Sequence, residues 1–251
     1  METKRITGRK VFFLYPHSVM QEEMIEALLR QEYEVYLAKD HDKIKNILAE
    51  YPDSIVFINI DTVLKGNEWE TYIRELMKEL PDLRIGIMSY NSDEEIARKY
   101  LMEIGVQCGF IRLKLGLKES TAIILKALQA NEAKGRRKYV RAQCQGNIQA
   151  SFNMRTSDGF EGGEILDISI AGMACQFSNA GRIPVKVDDE IDDIQLKLKG
   201  SLAKVSGKVV GIREEGNPVY VILFDKSMKQ PIKSKIRNFV FHALHKNLGL
   251  T

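Results

Sequence analysis

The sequence predicts two folded units in series: a doubly wound α/β unit on a five-stranded parallel sheet, then an all-β unit that ends in a helix. Three observations carry this. Short apolar runs alternate with amphipathic stretches five times in about the first 125 residues. Helical periodicity stops after Ala130. Beyond that point, apolar and polar residues alternate between closely spaced turn signals. A length of 251 residues accommodates two cores of ordinary size.

In the first half, Val11-Phe12-Phe13-Leu14-Tyr15 reads as a buried strand. A helix follows over about Val19–Gln31, with Met20, Met24, Ala27 and Leu28 at spacings of three and four. Glu34–Ala38 is the second strand. Asp40 caps the next helix, which carries Ile44, Ile47 and Leu48. Ser54–Ile60 is the third strand. The helix over Glu68–Leu80 lines up Trp69, Tyr72, Ile73, Leu76 and Leu80, which reads as a core face. Leu83–Met88 is the fourth strand. Ser92-Asp93-Glu94-Glu95 has capping-box spacing, with Ser92 as the cap. Cys108–Leu113 and a helix over Lys118–Ala130 complete the unit. The strands are nearly continuous apolar runs, as burial on both faces of a parallel sheet requires.

The domain boundary is expected at residues 130/131, followed by the polar, basic Asn131–Arg141. Turn signals then stand at Ser157-Asp158-Gly159, Gly162-Gly163, Asn179-Ala180-Gly181, Lys199-Gly200 and Glu215-Gly216-Asn217-Pro218. Several short strands at this spacing predict an antiparallel sandwich or barrel. Gly207–Gly211 and Val219–Asp225 are later strands, with Val221 and Phe224 as core residues. Pro231–Leu248 is an amphipathic helix through Ile232, Ile236, Phe239, Val240, Ala243 and Leu244.

Two patterns carry chemistry. Between Lys134 and Arg141, five of eight residues are basic and none is acidic. Guanidinium forks match phosphate bidentately and stack on flat rings, and Arg137-x-x-x-Arg141 lets two of them turn onto one ligand. Further on stands Asp167-Ile168-Ser169-Ile170-Ala171-Gly172, a strand with Asp167 and Ser169 on one face. Gly172 lets the backbone turn or come close to a ligand. Either pattern alone also fits a solvated hinge or an ordinary strand end.

RxxxR followed by DxSxxG resembles the PilZ domain family of bacterial cyclic di-GMP receptors, over about residues 134–248. The resemblance implies a six-stranded barrel with the arginine loop wrapped over it. It implies that Arg137 and Arg141 bind phosphates and guanine edges, and that Asp167 accepts from a guanine N–H edge. Ser169 would bind a phosphate or base, and Gly172 would leave room for the ring. Arg136 adds a third guanidinium able to stack on a second ligand molecule, so two cyclic di-GMP molecules per chain are expected. Ordering of the linker on binding would re-orient the domains and alter the contact with a protein partner, in motility or surface behaviour.

The five-fold βα pattern looks like a two-component receiver domain, whose sheet order is 2-1-3-4-5. The acidic pair expected after the first strand is missing: the chain reads Tyr15-Pro16-His17-Ser18. Asn59 takes the phosphoacceptor position, or Asp61 if the strand runs longer. Ser89 fills the hydroxyl position, and Arg112 or Lys114 the lysine position. A hard divalent cation needs several anionic oxygens. A degenerate receiver that binds partners or dimerises is therefore expected.

The net charge of +3 is too balanced for a protein that coats nucleic acid along its length. A nucleic-acid regulator using the basic linker is the alternative; Asp188-Asp189-Glu190 and Asp192-Asp193 weigh against it. No GxSxG, HExxH or P-loop is present, so no enzyme and no catalytic residue is expected. Three widely spaced cysteines, Cys108, Cys144 and Cys175, suggest neither disulfides nor zinc, and fit a reducing cytoplasm. His242 and His245 lack a third metal ligand, and His17 reads as a capping or packing residue. No apolar run reaches the ~18 residues of a membrane span, and the start METKRITGRK is followed by too short an apolar run for a secretory signal.

Overall fold

The computed structural model describes residues 7–144, 146, 148–156, 159–179, 185–213 and 216–250, without the side chains of Val19, Met20 and Gln21. The first six residues, the turn residues Ser157, Asp158, Ala180, Gly181 and Glu215, and the Met20 side chain named above lie outside the described residues. The chain forms two compact units, one running to Lys138 and one from Tyr139 to Gly249.

In the first unit, β1 (Val11–Leu14), α1 (Ser18–Arg30), β2 (Val35–Ala38), α2 (His41–Glu50), β3 (Ile55–Asn59), α3 (Gly66–Glu79), β4 (Arg84–Ser89), α4 (Glu94–Arg98), β5 (Phe110–Arg112) and α5 (Leu117–Ala130) follow in order. The strands lie parallel in the order β2-β1-β3-β4-β5, the order expected of a receiver. Every residue of β1 and β3 is buried, because helices cover both faces of the sheet. Phe13 and Phe57 stack at 5.2 Å between their ring centres across this pair.

Asp40 caps α2 as expected, accepting from the Asp42 and Lys43 amides. The cap of α4 is not Ser92 but Asp93, whose carboxylate accepts from the Glu95 amide at 2.8 Å. Ser92 instead accepts from Lys114 Nζ at 3.1 Å. The capping-box spacing was right for a helix start, but the neighbouring residue, an equally good cap, took the position. The helix then loosens into a π-helical stretch over Lys99–Ile104. Past α5, Ala133 accepts from the Arg9 amide at 2.8 Å. Gly135 lies so close to Thr7 that a Cβ there would meet its carbonyl carbon at 2.4 Å. These contacts tie residues 133–135 to the first unit, which is why the unit extends past the expected boundary at 130/131.

The second unit contains β6 (Ala142–Gln143), β7 (Ala150–Thr156), β8 (Gly159–Ser169), β9 (Gly172–Phe177), β10 (Glu190–Leu198), β11 (Ser201–Arg213), β12 (Val219–Phe224) and α6 (Gln230–Asn247). Six strands close in the ring β8-β7-β10-β11-β12-β9 and back to β8, with antiparallel neighbours throughout. The sandwich alternative is thereby excluded. Alternation supplies the core: Phe152 and Met154 on β7, and Ile194, Leu196 and Leu198 on β10, are buried. Phe224 is buried as expected, and Val221 is half-buried. Closure removes the unpaired edges that an open sheet of this size would expose.

Pro231 stands in the first turn of α6, where its missing N–H costs nothing. Ile236, Phe239, Val240, Ala243 and Leu244 bury one face of the helix against β6, β8 and β11. His245 is only 6% exposed. Its Nδ1 stands 2.8 Å from the Phe241 carbonyl oxygen, a donor position for the neutral ring. Burial, with a smaller contribution from His242, pushes its pKa below the ordinary histidine value, against a weaker upward pull from the Phe241 hydrogen bond. The unfolded chain therefore binds a proton that the folded state refuses, so stability falls as pH drops through the unfolded histidine range near ~6.5. Urea titrations at about pH 7.5 and about pH 5.5 should show this loss, and His245→Gln should flatten it.

Candidate ligand-binding site

The site starts from a mismatch in strand lengths. β8 has 11 residues. β7 pairs with it only from Gly159 to Glu164, whereas β9 follows its other edge from Gly163 to Ser169. The edge of β8 beyond Glu164 would otherwise leave ladder groups unpaired. β6, the segment that directly follows the basic linker, fills that place: Ala142 stands opposite Ile168 and Gln143 opposite Asp167. The Cys144 amide donates to the Leu166 carbonyl at 2.7 Å.

This register brings the two sequence patterns together. Arg141 precedes β6 by one residue, and its Nη1 lies 3.4 Å from Asp167 Oδ1. The side chains are 47% and 20% exposed, respectively. The distance exceeds the 2.7–2.9 Å typical of a strong charged hydrogen bond. A pair this exposed is worth about 0–1 kcal/mol. The guanidinium and the carboxylate are thus adjacent without being committed to each other, and both can be offered to a ligand.

Arg136 and Arg137 are exposed, with no hydrogen bond or ion pair among the described residues. They fall in the first compact unit, and Arg141 falls in the second. Lys134, at the start of the linker, holds its ammonium 4.9 Å from the centre of the Tyr33 ring.

Ser169 and Gly172 each make close contacts within the barrel. The Ser169 hydroxyl accepts from the Ala171 amide at 3.2 Å and donates to the Gly172 carbonyl at 3.4 Å, closing the turn between β8 and β9. The residue is 2% exposed. Gly172 has no positive φ to explain it. A Cβ there would meet the Ile222 carbonyl oxygen of β12 at 2.2 Å, so the glycine permits a close approach of two backbones. A register irregularity between Ile165 and Asp167 lets the polar side of β8 change near the site.

At the strand ends where the receiver resemblance placed a phosphorylation site, side chains of the first unit bond to their own neighbours. β3 ends at Asn59, whose amide donates to the Tyr15 carbonyl at 2.9 Å. The Asp61 carboxylate accepts from Ser89 Oγ and from the Tyr90 amide, both at 2.6 Å. Arg112 ends β5 opposite Ser89. Among the described residues no group of three His, Cys, Asp or Glu side chains could hold a metal ion. His17 packs edge-on against Tyr90, and Trp69 lies among Tyr15, His41 and Tyr72 as a core residue. The three thiols are free, and burial pushes each up to about 12, so no thiolate nucleophile is available near neutral pH. No helix among the described residues is long and apolar enough to cross a membrane.

The second unit is a closed antiparallel barrel with a cation and an anion side by side on its wall, and the first is an α/β unit of receiver topology. Residues 135–242 match the model of the PilZ domain family. Comparison with curated proteins finds no match. Among solved structures, the chain is similar to the PilZ domain of YcgR from Escherichia coli with c-di-GMP, at 13% identity over 45% of this chain and 94% of that one, with a TM-score of 0.39. It is also similar to the K. pneumonia MrkH–c-di-GMP complex, at 17% identity over 46% of this chain and 55% of that one, TM-score 0.38. A signal receiver domain of a Pseudomonas fluorescens HD domain-containing protein is similar at 13% identity, over 51% of this chain and 99% of that one, TM-score 0.41.

Sequence reasoning missed β6 and its pairing with β8. Two residues are too few to show alternation, and the unpaired edge they fill is visible only once the lengths of β7, β8 and β9 are known. Two outcomes test the assignments above. Gly172→Ala should destabilise the second unit by about 1–3 kcal/mol in urea unfolding, as an overpacked site does. Incubation with acetyl phosphate and Mg²⁺ should leave Asp61 unlabelled by mass spectrometry, because its oxygens are already hydrogen-bonded within the loop.

Proposed function

We propose that this chain is a receptor for cyclic di-GMP and that it acts by binding rather than by catalysis. The observation that carries the reading is the placement of Arg141 beside Asp167 on the wall of a PilZ barrel. A guanidinium reads a phosphate or the O6/N7 edge of guanine, while a carboxylate accepts from the guanine N1–H and N2–H₂ edge. A ligand with two anionic phosphates and two guanines uses both. The loose ion pair exchanges its partners for the ligand at little cost. Arg136 and Arg137, exposed on the linker, supply further guanidiniums for phosphate contact and for stacking on a second ligand molecule.

Binding orders residues 136–141 against the barrel, and this ordering re-orients the two units and changes the contact with a protein partner. Such a switch works only if the ligand has different affinities for the two arrangements. The first unit serves as a partner or dimer module, a reading supported by Asn59, Asp61 and Ser89 being engaged in hydrogen bonds within it. A role in motility or surface behaviour follows the family.

Calorimetric titration with cyclic di-GMP tests this. Saturable binding with two molecules per chain is expected. Arg141→Ala should cost about 1.5–3 kcal/mol, roughly 10- to 150-fold in affinity. Unchanged affinity in Arg141→Ala and in Asp167→Ala would remove the assigned site.

A further inference from the structure

The last turn of α6 reaches the linker strand. The side-chain amide of Asn247 donates from Nδ2 to the Gln143 carbonyl at 3.2 Å, across 104 residues of sequence. Gln143 is one of the two residues of β6, and it is the one opposite Asp167. A strand of two residues has little pairing of its own to hold it in register. Its other described anchor at this end is the Cys144 amide on the Leu166 carbonyl. The helix itself is fixed by its buried face, so Asn247 extends from a rigid support.

We propose that Asn247 is a positioning residue for the messenger site: by pinning β6 to its register on β8, it holds the Arg141 guanidinium beside Asp167. The inference rests on the cyclic di-GMP reading for its functional meaning and on geometry alone for the clamp. Coupling of this kind is reciprocal, so a ligand that engages Arg141 also tightens the C-terminal turn of α6. The terminal helix thereby senses the state of the linker.

The test uses Asn247→Asp, which keeps the shape but cannot donate, and Asn247→Ala. Both residues replace an exposed side chain, and unchanged melting of the variants confirms that the fold persists. Losing one neutral hydrogen bond should weaken cyclic di-GMP binding roughly two- to tenfold in the unmutated background. In an Arg141→Ala background the same change should have less than about a twofold effect, because the two residues act through one element. Without ligand, hydrogen exchange at the Cys144 amide should quicken in both variants. Equal losses in the two backgrounds, or unchanged exchange at Cys144, would overturn the proposal. If the unmutated chain fails to bind cyclic di-GMP, the messenger reading falls, and the exchange arm still decides whether the clamp exists.

Discussion

The architecture of the second unit depends on a backbone that must not be left unpaired. β8 outruns β7 on one edge, and the ladder groups beyond Glu164 need a partner. The chain answers with β6. That choice fixes the rest: the residue before β6 arrives at Asp167, the linker is tethered at its far end, and the last turn of α6 gains a carbonyl to hold. A site formed this way is built by main-chain pairing, and the side chains on it can change partners without disturbing the strands.

Much of this was legible in the sequence, and what was not has physical reasons. Strands buried on both faces announce themselves as apolar runs, so β1 and β3 were readable to within a residue or two. The helix over Trp69, Tyr72, Ile73 and Leu76 showed its core face by spacing alone, and all four are buried. The cap of α4 was misread because Ser92 and Asp93 are both good caps, and Ser92 is instead engaged by Lys114, a residue just past β5 that the helix sequence does not contain. The motif residues were identifiable, but the contacts they make within the barrel were not. Ser169 and Gly172 face constraints from Ala171 and Ile222, and the latter belongs to a strand some fifty residues on.

In the first unit, the loop past β3 is held by its own side chains. No acid directly follows β1, where the chain reads Tyr15-Pro16-His17-Ser18, so the loop past β3 must be held by other bonds. Asn59 and Asp61 organise it instead, by bonding to Tyr15, Ser89 and Tyr90. The loops that would have to move around a phosphorylated side chain are held by neutral and singly charged hydrogen bonds. The sheet order persists because it depends on apolar strands and not on the pocket at their ends.

The packing role of Ser169 and Gly172 bears on how such barrels drift over time. A descendant of this barrel would be free to lose Arg141 or Asp167, since their long, exposed ion pair contributes little to stability. It could not so easily lose the serine that closes the turn or the glycine that admits a neighbouring carbonyl. Ser169 and Gly172 would thus outlast Arg141 and Asp167, for reasons of packing alone.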